Sequence, residues 1–176
     1  MCAILIEPIE TPRLRLRGLN AADAAPIAAL ANDYEVARML APLPHPYSLA
    51  DAQSFVARQA DAGDPNERVF AIDHLQFGLI GVVGFHRGDS PFAEVGYWLG
   101  RTFWGRGFAT EALVAALAWA QGPGRARAVF SSHFPDNPAS GRVLVKAGFL
   151  YTGVVEPRRS MARGEVTPSR MMVWLA

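Results

Sequence analysis

From Arg13 to Leu19 the chain reads RLRLRGL, arginine alternating with leucine, the period-two pattern of a strand with one wet face. The next stretch, NAADAAPIAALAND (20–33), has the composition of a helix, with Asn20 placed to cap it. Prolines punctuate APLPHPYS (41–48), which predicts a loop. Ser48 then opens a second helix, in which Leu49, Ala52, Phe55, Val56 and Gln59 keep helical spacing until Gly63 ends it. Two β-rich runs, RVFAID (68–73) and FGLIGVVGFHR (77–87), flank a short turn around residues 74–76. In FAEVGYWLG (92–100), Ala93, Val95, Tyr97 and Leu99 alternate with Glu94, Gly96 and Trp98, so the three runs predict an antiparallel meander. A helix follows Gly107 and runs to about Gln121, where GPG breaks it. Then come a strand in ARAVFSSHF (126–134), a helix in NPASGRVLVKAG (137–148), and closing strands in FLYTGVVE (149–156) and SRMMVWLA (169–176). Strands that cluster first and later alternate with helices predict an α+β or mixed α/β sheet.

Composition narrows the function classes. A chain of 176 residues, 51% of them hydrophobic, suits one domain, 1–176, with a sizeable core. Lys plus Arg (17) nearly balances Asp plus Glu (16), and the basic residues are scattered, so nucleic acid is not an expected partner. Cys2 is the only cysteine, which rules out an internal disulfide, a zinc knuckle or a CxxC redox site and suits a reducing cytoplasm. The opening MCAILIEPIE is too short and lacks the basic start of a signal segment, and no window reaches the ~18 apolar residues of a spanning helix, so no membrane partner is expected. His45, His74, His86 and His133 fall in no ligand spacing with carboxylates, and no metal is expected.

Candidate chemistry concentrates in FWGRGFATEALVAALAWA (103–120), where Gly105 and Gly107 flank Arg106 directly before an apolar helix. Glycines that permit unusual φ/ψ between a strand and a helix let several backbone N–H groups converge on one point, and the helix dipole favours negative charge there. The stretch therefore predicts a pyrophosphate cradle, although such a turn also arises from chain geometry alone. It is not a Walker A loop, because Phe108 and Ala109 follow Gly107 where Lys-Ser/Thr would stand. Nor is it a dinucleotide fingerprint, which requires Gly or Ala where Thr110 stands. Leu113, Leu117 and Ala120 are core by periodicity.

The segments AEVGYWLGRTFWGRGFATEAL and DNPASGRVLVKAGF resemble the acetyl-CoA-binding core of the GNAT superfamily of N-acetyltransferases, with the nearest likeness to the Rim-type (RimJ/RimL-like) ribosomal-protein N-terminal acetyltransferases. The likeness extends from ETPRLRLRGLNAADA to the final VWLA and is most specific over 93–149. It implies a central twisted, mostly antiparallel sheet of six to seven strands with about four helices, and strands that splay at the acetyl-CoA site. The family's loop, Gln/Arg-x-x-Gly-x-Gly/Ala, puts Trp104, Gly107 and Ala109 on its defined positions, with Trp104 replacing the polar residue as it does in Rim-like members. The resemblance implies that the amides of Gly105, Arg106, Gly107, Phe108, Ala109 and Thr110 hold the pyrophosphate. It also implies that the main chain of Tyr97, Trp98 and Leu99 pairs with the pantetheine arm, while their side chains pack the core. Asn137 matches a residue that touches that arm; by itself it also reads as an N-cap ahead of Pro138.

Two catalytic roles follow from the same resemblance. The position at which many members carry a thiolate-protonating Tyr is Leu144 here, and the Rim-like pattern offers Ser140 instead, three residues after Asn137. Ser140 read alone is an ordinary helix N-terminal residue. Glu94, in phase with Gly96 and Trp98, is the candidate base for the amine proton, directly or through water; its plain alternative is an ion pair with one of the arginines. The expected reaction is direct transfer from acetyl-CoA to a primary amine by a monomer or homodimer, with Cys2 taking no part. The acceptor is selected by residues 34–66, 131–136 and 156–168, which hold no acidic cluster of the kind an aminoglycoside or polyamine favours. A peptide N terminus or small-molecule amine is therefore expected ahead of those cations. Two rival readings keep part of the pattern: a catalytically silent acyl-CoA sensor, and an interaction module that recruits a strand to an open sheet edge.

Overall fold

The computed structural model describes residues 7–60, 67–87 and 91–176; Cys2 and Gly63 lie outside them. One sheet of eight strands runs through the described residues. In chain order they are β1 (Ile9–Glu10), β2 (Leu14–Arg17), β3 (Glu67–His74), β4 (Gly78–His86), β5 (Ala93–Leu99), β6 (Ala128–His133), β7 (Leu150–Ser160) and β8 (Glu165–Leu175). Their spatial order is β1-β2-β3-β4-β5-β6-β8-β7, and every neighbour pair is antiparallel except β5 with β6. Among the described residues five α-helices accompany them: α1 (Ala24–Ala31), α2 (Tyr34–Ala37), α3 (Leu49–Ala60), α4 (Phe108–Gln121) and α5 (Pro138–Lys146).

The mixed α/β class and the meander agree with expectation, and two elements exceed it. The two residues of β1 and the four of α2 are too short to carry a period of their own. The first helix also begins later than its cap suggests. Asn20 accepts from the Ala22 N–H at 2.9 Å and Asp23 accepts from the Asn20 N–H at 2.8 Å, but this box closes a 3-10 turn over Ala21–Asp23. The α-helix starts at Ala24, which leaves Pro26 in the first turn, where its missing N–H has no helical partner to lose.

Helices cover both faces of the sheet. Phe108, Leu113, Leu117 and Leu144 of α4 and α5 pack with Leu16, Ile72, Phe85, Val95 and Leu99 in one core. Ile27, Ala52 and Val56 of α1 and α3 pack with Val82 and Trp98 on the other face. Alternation along β5 therefore sends Val95, Tyr97 and Leu99 toward α4, and Glu94, Gly96 and Trp98 toward the α1/α3 side.

Candidate active site

The parallel pairing of β5 with β6 is confined to Ala93↔Val129 and Glu94↔Phe130. Beyond Glu94, β5 stays paired with β4 as far as Leu99↔Gly81 while its other edge leaves β6. Ser131 bridges the start of the split, its Oγ donating to the Val95 carbonyl at 2.9 Å. The sheet is thus split behind Glu94, and a cavity of about 980 Å³ occupies the split and reaches both faces.

At one end of the split the chain turns into α4. The indole N–H of Trp104 donates to the Leu99 carbonyl at 2.8 Å, tying the loop to the end of β5. Gly105 and Gly107 have φ of +73° and +80°, and Gly107 is the left-handed cap of α4. Glycine takes that conformation at no steric cost, whereas a Cβ is crowded there. The Glu111 N–H donates to the Gly107 carbonyl at 3.1 Å, and among the described residues no hydrogen bond occupies the N–H groups of Gly105, Arg106, Gly107, Phe108, Ala109 or Thr110. Trp104, Gly105, Gly107, Phe108, Ala109 and Thr110 line the cavity. Arg106 does not: its carbonyl accepts from Arg13 Nη1 at 3.0 Å on the outer side of the loop. Free N–H groups at the positive end of a helix make a seat for an anion such as pyrophosphate.

A buttress that sequence spacing does not reveal sets the shape of this loop. One Glu111 oxygen accepts from the Thr11 hydroxyl at 2.6 Å and the Arg13 N–H at 2.9 Å, and the other accepts from Arg13 Nε at 2.7 Å. Arg13 also stacks over the Phe108 ring at 4.6 Å. Burial alone would raise the Glu111 carboxyl, but the bonds from Thr11 and Arg13 hold it below its ordinary range. A carboxyl lowered by folding confers stability that is complete above the ordinary value of 4.5 and fades as pH falls through the depressed one. Glu111→Gln is accordingly expected to cost about 1 to 3 kcal/mol at neutral pH. It should also flatten the acid limb of thermal stability; melting curves across pH check both.

Further along the split, α5 approaches β5. Asn137 caps α5, its Oδ1 accepting from the Ser140 N–H at 3.2 Å. The cap is thus formed, and Asn137 and Ser140 both line the cavity. The Ser140 hydroxyl lies 2.9 Å from the hydroxyl of Tyr97, so the Tyr97 side chain is more than core packing. Trp98 and Leu99 do pack the two cores, Trp98 on the α1/α3 side and Leu99 on the α4 side.

Glu94 lines the cavity from the opposite face of β5. Both of its oxygens are engaged by Arg158 of β7, at 2.7 and 2.8 Å. The two side chains are 23% and 24% exposed, so the pair is accessible from the cavity. Arg158 belongs to a segment that reads as an acceptor-selecting loop in the sequence, but it stands in a strand. His86 sits directly across from Glu94 in the β4–β5 register and lines the same cavity. His133 also lines it, with Nδ1 2.9 Å from the Phe134 carbonyl and Nε2 3.0 Å from the Tyr151 hydroxyl. His45 meets Tyr34 edge-on, and His74 lies against Phe77 and Phe108. Among the described residues no cluster of three His, Cys, Asp or Glu is suited to a metal ion, and no helix is long and apolar enough to cross a membrane.

The split sheet thus brings a free helix N-terminus, a serine on one face and a carboxylate on the other to one cavity. The sequence model of the acetyltransferase (GNAT) domain matches residues 13–150, and the chain belongs to that family, which makes it an acetyltransferase. It is 33% identical over 156 residues to the uncharacterized N-acetyltransferase YoaA of Bacillus subtilis (strain 168), covering 84% of this chain and 85% of the relative. Its fold is similar to that of a ribosomal alpha-N-protein acetyltransferase, RimL, in complex with coenzyme A (TM-score 0.80, 20% identity, 96% of this chain and 98% of the other). The spermidine N-acetyltransferase from Vibrio cholerae in complex with CoA and spermine superposes with a TM-score of 0.78 at 22% identity, covering 94% and 96% of the two chains.

Proposed function

We propose that this acetyltransferase moves the acetyl group of acetyl-CoA to the primary amine of a peptide N terminus or a small molecule, by direct attack and without a covalent enzyme intermediate. The observation that carries the reading is the single cavity joining the N–H cradle of α4, Ser140 and Glu94 through the gap between β5 and β6. In this reading the pyrophosphate lies on the amides of residues 105–110, the pantetheine arm follows the free edge of β5 past Asn137, and the thioester reaches Ser140. The amine approaches from the α1/α3 side, where Glu94, held in place by Arg158, takes its proton directly or through one water. The N–C bond forms, the C–S bond breaks with its electron pair going to sulfur, and the Ser140 hydroxyl donates to that sulfur as charge gathers. The amine's proton leaves by way of Glu94 to solvent, and coenzyme A departs as the thiolate, which takes a proton from solvent to become the thiol.

The acceptor end of the cavity supports the substrate class. Its walls include Leu43, Pro44, Tyr47 and Phe55, and its charges are mixed, with Asp51, Glu67 and Glu94 set against Arg58 and Arg158. A polycationic acceptor is best served by an acidic groove, and this mixture favours an amine with little further positive charge. The test is a thiol-release screen with acetyl-CoA over peptides with free N termini, small monoamines, polyamines and aminoglycosides, followed by mass identification of the product. Acetylated peptide or monoamine is the expected result; turnover confined to polyamines or aminoglycosides would overturn the acceptor class. Tight acetyl-CoA binding with no turnover on any amine would support the sensor reading instead. In the same assay Ser140→Ala is expected to lower kcat by about 10² with acetyl-CoA affinity nearly intact, as for loss of one donor to a developing anion.

A further inference from the structure

The Tyr97 hydroxyl lies 2.9 Å from Ser140 Oγ and 3.1 Å from the Ser140 carbonyl oxygen. We propose that Tyr97 is a positioning residue for the departing thiolate: its phenolic hydrogen is given to Ser140 Oγ, so that the serine's own hydrogen is free to point at the thioester sulfur. This rests on the role given to Ser140 above.

A tyrosine hydroxyl has one hydrogen, and the geometry offers it two acceptors. If it goes to the Ser140 carbonyl, Tyr97 Oη is left as an acceptor that competes with the sulfur for the serine hydrogen. If it goes to Ser140 Oγ, the serine hydrogen is released toward the cavity. The second arrangement is favoured on three grounds. A phenol is far more acidic than an alkanol and is the better donor of the pair. The Ser140 carbonyl lies in the first turn of α5, where the N–H four residues on is its helical partner. A hydroxyl that is already accepting a hydrogen bond donates a stronger one, and the gain is largest where negative charge develops beyond it.

The surroundings keep the tyrosine a donor. Burial pushes the Tyr97 phenol well above its ordinary value, and this outweighs the opposing bond with Ser140, so the hydrogen stays in place throughout any working pH range. The backbone fixes the pair from both sides. Tyr97 is on β5, held in register with Val83 of β4, and Ser140 is on the first turn of α5, its N–H capped by Asn137. The sequence reveals neither contact, because the two residues are 43 positions apart.

The experiment is a double-mutant cycle of Tyr97→Phe and Ser140→Ala, read as kcat and acetyl-CoA KM with the acceptor found in the screen, alongside thermal unfolding. Tyr97→Phe is expected to lower kcat about tenfold, the size of one hydrogen bond, with acetyl-CoA KM near wild type. On the Ser140→Ala background it should cost nothing further. A tether that only joins β5 to α5 would give a loss of stability with normal kcat, or kinetic losses that add in the double variant; either result overturns the inference. A Ser140→Ala enzyme with normal kcat would instead overturn the reading beneath it, and the two failures are distinguishable. Should Tyr97→Phe not fold, 3-fluorotyrosine at position 97 adds one small ring atom and makes the hydroxyl a stronger donor: an altered kcat with unchanged thermal stability supports the inference, and an unchanged kcat overturns it.

Discussion

Gly107→Val is expected to raise the acetyl-CoA Kd by about 10² or more, the equivalent of losing two charge-assisted hydrogen bonds of about 1.5 to 3 kcal/mol each. The cause is conformational. Gly107 caps α4 at φ +80°, and a β-branched residue abandons that region, turning the neighbouring N–H groups away from their common point. Crowding is a minor part of the effect, because a Cβ built at Gly107 meets only the Arg13 guanidinium, at 3.4 Å. Gly105→Ala, at φ +73° with open space around its Cβ, should weaken binding less, since alanine enters the left-handed region at a cost of only about 1 kcal/mol. Isothermal titration with acetyl-CoA on the folded variants reads both. A folded Gly107→Val that binds like wild type would remove the cradle from the account.

Glu94→Gln is expected to cost about 10² to 10⁴ in kcat/KM. The loss should be greatest at pH values where the acceptor amine is mostly protonated, and should shrink as the pH approaches the amine's own pKa, because an already neutral amine needs less help from a base. The bidentate contact with Arg158 gives the substitution a second consequence, since glutamine leaves a half-buried guanidinium with only the longer carboxylate contact to Glu156, at 3.5 Å. Stability should fall by about 1 to 3 kcal/mol, more than the 0 to ~1 kcal/mol of an exposed pair. Stability and rate therefore have to be measured together. A stability loss accompanied by a small, pH-independent rate change would make the pair structural and remove Glu94 from the mechanism.

The parts of this arrangement that local sequence reveals are those fixed by local physics. Alternation in RLRLR and AEVGYWL places β2 and β5 and separates the Glu94 face from the Tyr97 face, and the paired glycines before an alanine-rich run locate the left-handed turn that opens α4. The parts it hides come from distant pairing. Arg13 and Glu111 are 98 positions apart, and Arg158 and Glu94 are 64 apart, so no period or spacing joins them. The sequence reads as two short closing strands, 149–156 and 169–176, with a loop between, yet the pairing runs on through that loop and sets Pro157 opposite Pro168 in the β7–β8 register. They are tolerated because β7 is the edge of the sheet and Pro168 lies beyond Arg170, where β8 ceases to pair with β6. Extending those strands is what carries Arg158 to Glu94. The Tyr97 side chain shows the same limit: its alternation correctly points it into the α4 face, but only the approach of α5 gives its hydroxyl a partner.

The central claim is that the gap between β5 and β6 carries the thioester from the cradle to Ser140, with the acceptor entering from the other face. A crystal structure with acetyl-CoA bound tests it most directly. The account predicts pyrophosphate on the amides of Gly105 to Thr110, pantetheine along the free edge of β5 between Val95 and Leu99, and the thioester sulfur within hydrogen-bond reach of Ser140 Oγ. A cofactor bound away from this gap, or one whose sulfur lies on the far side of β5 from Ser140, would contradict it.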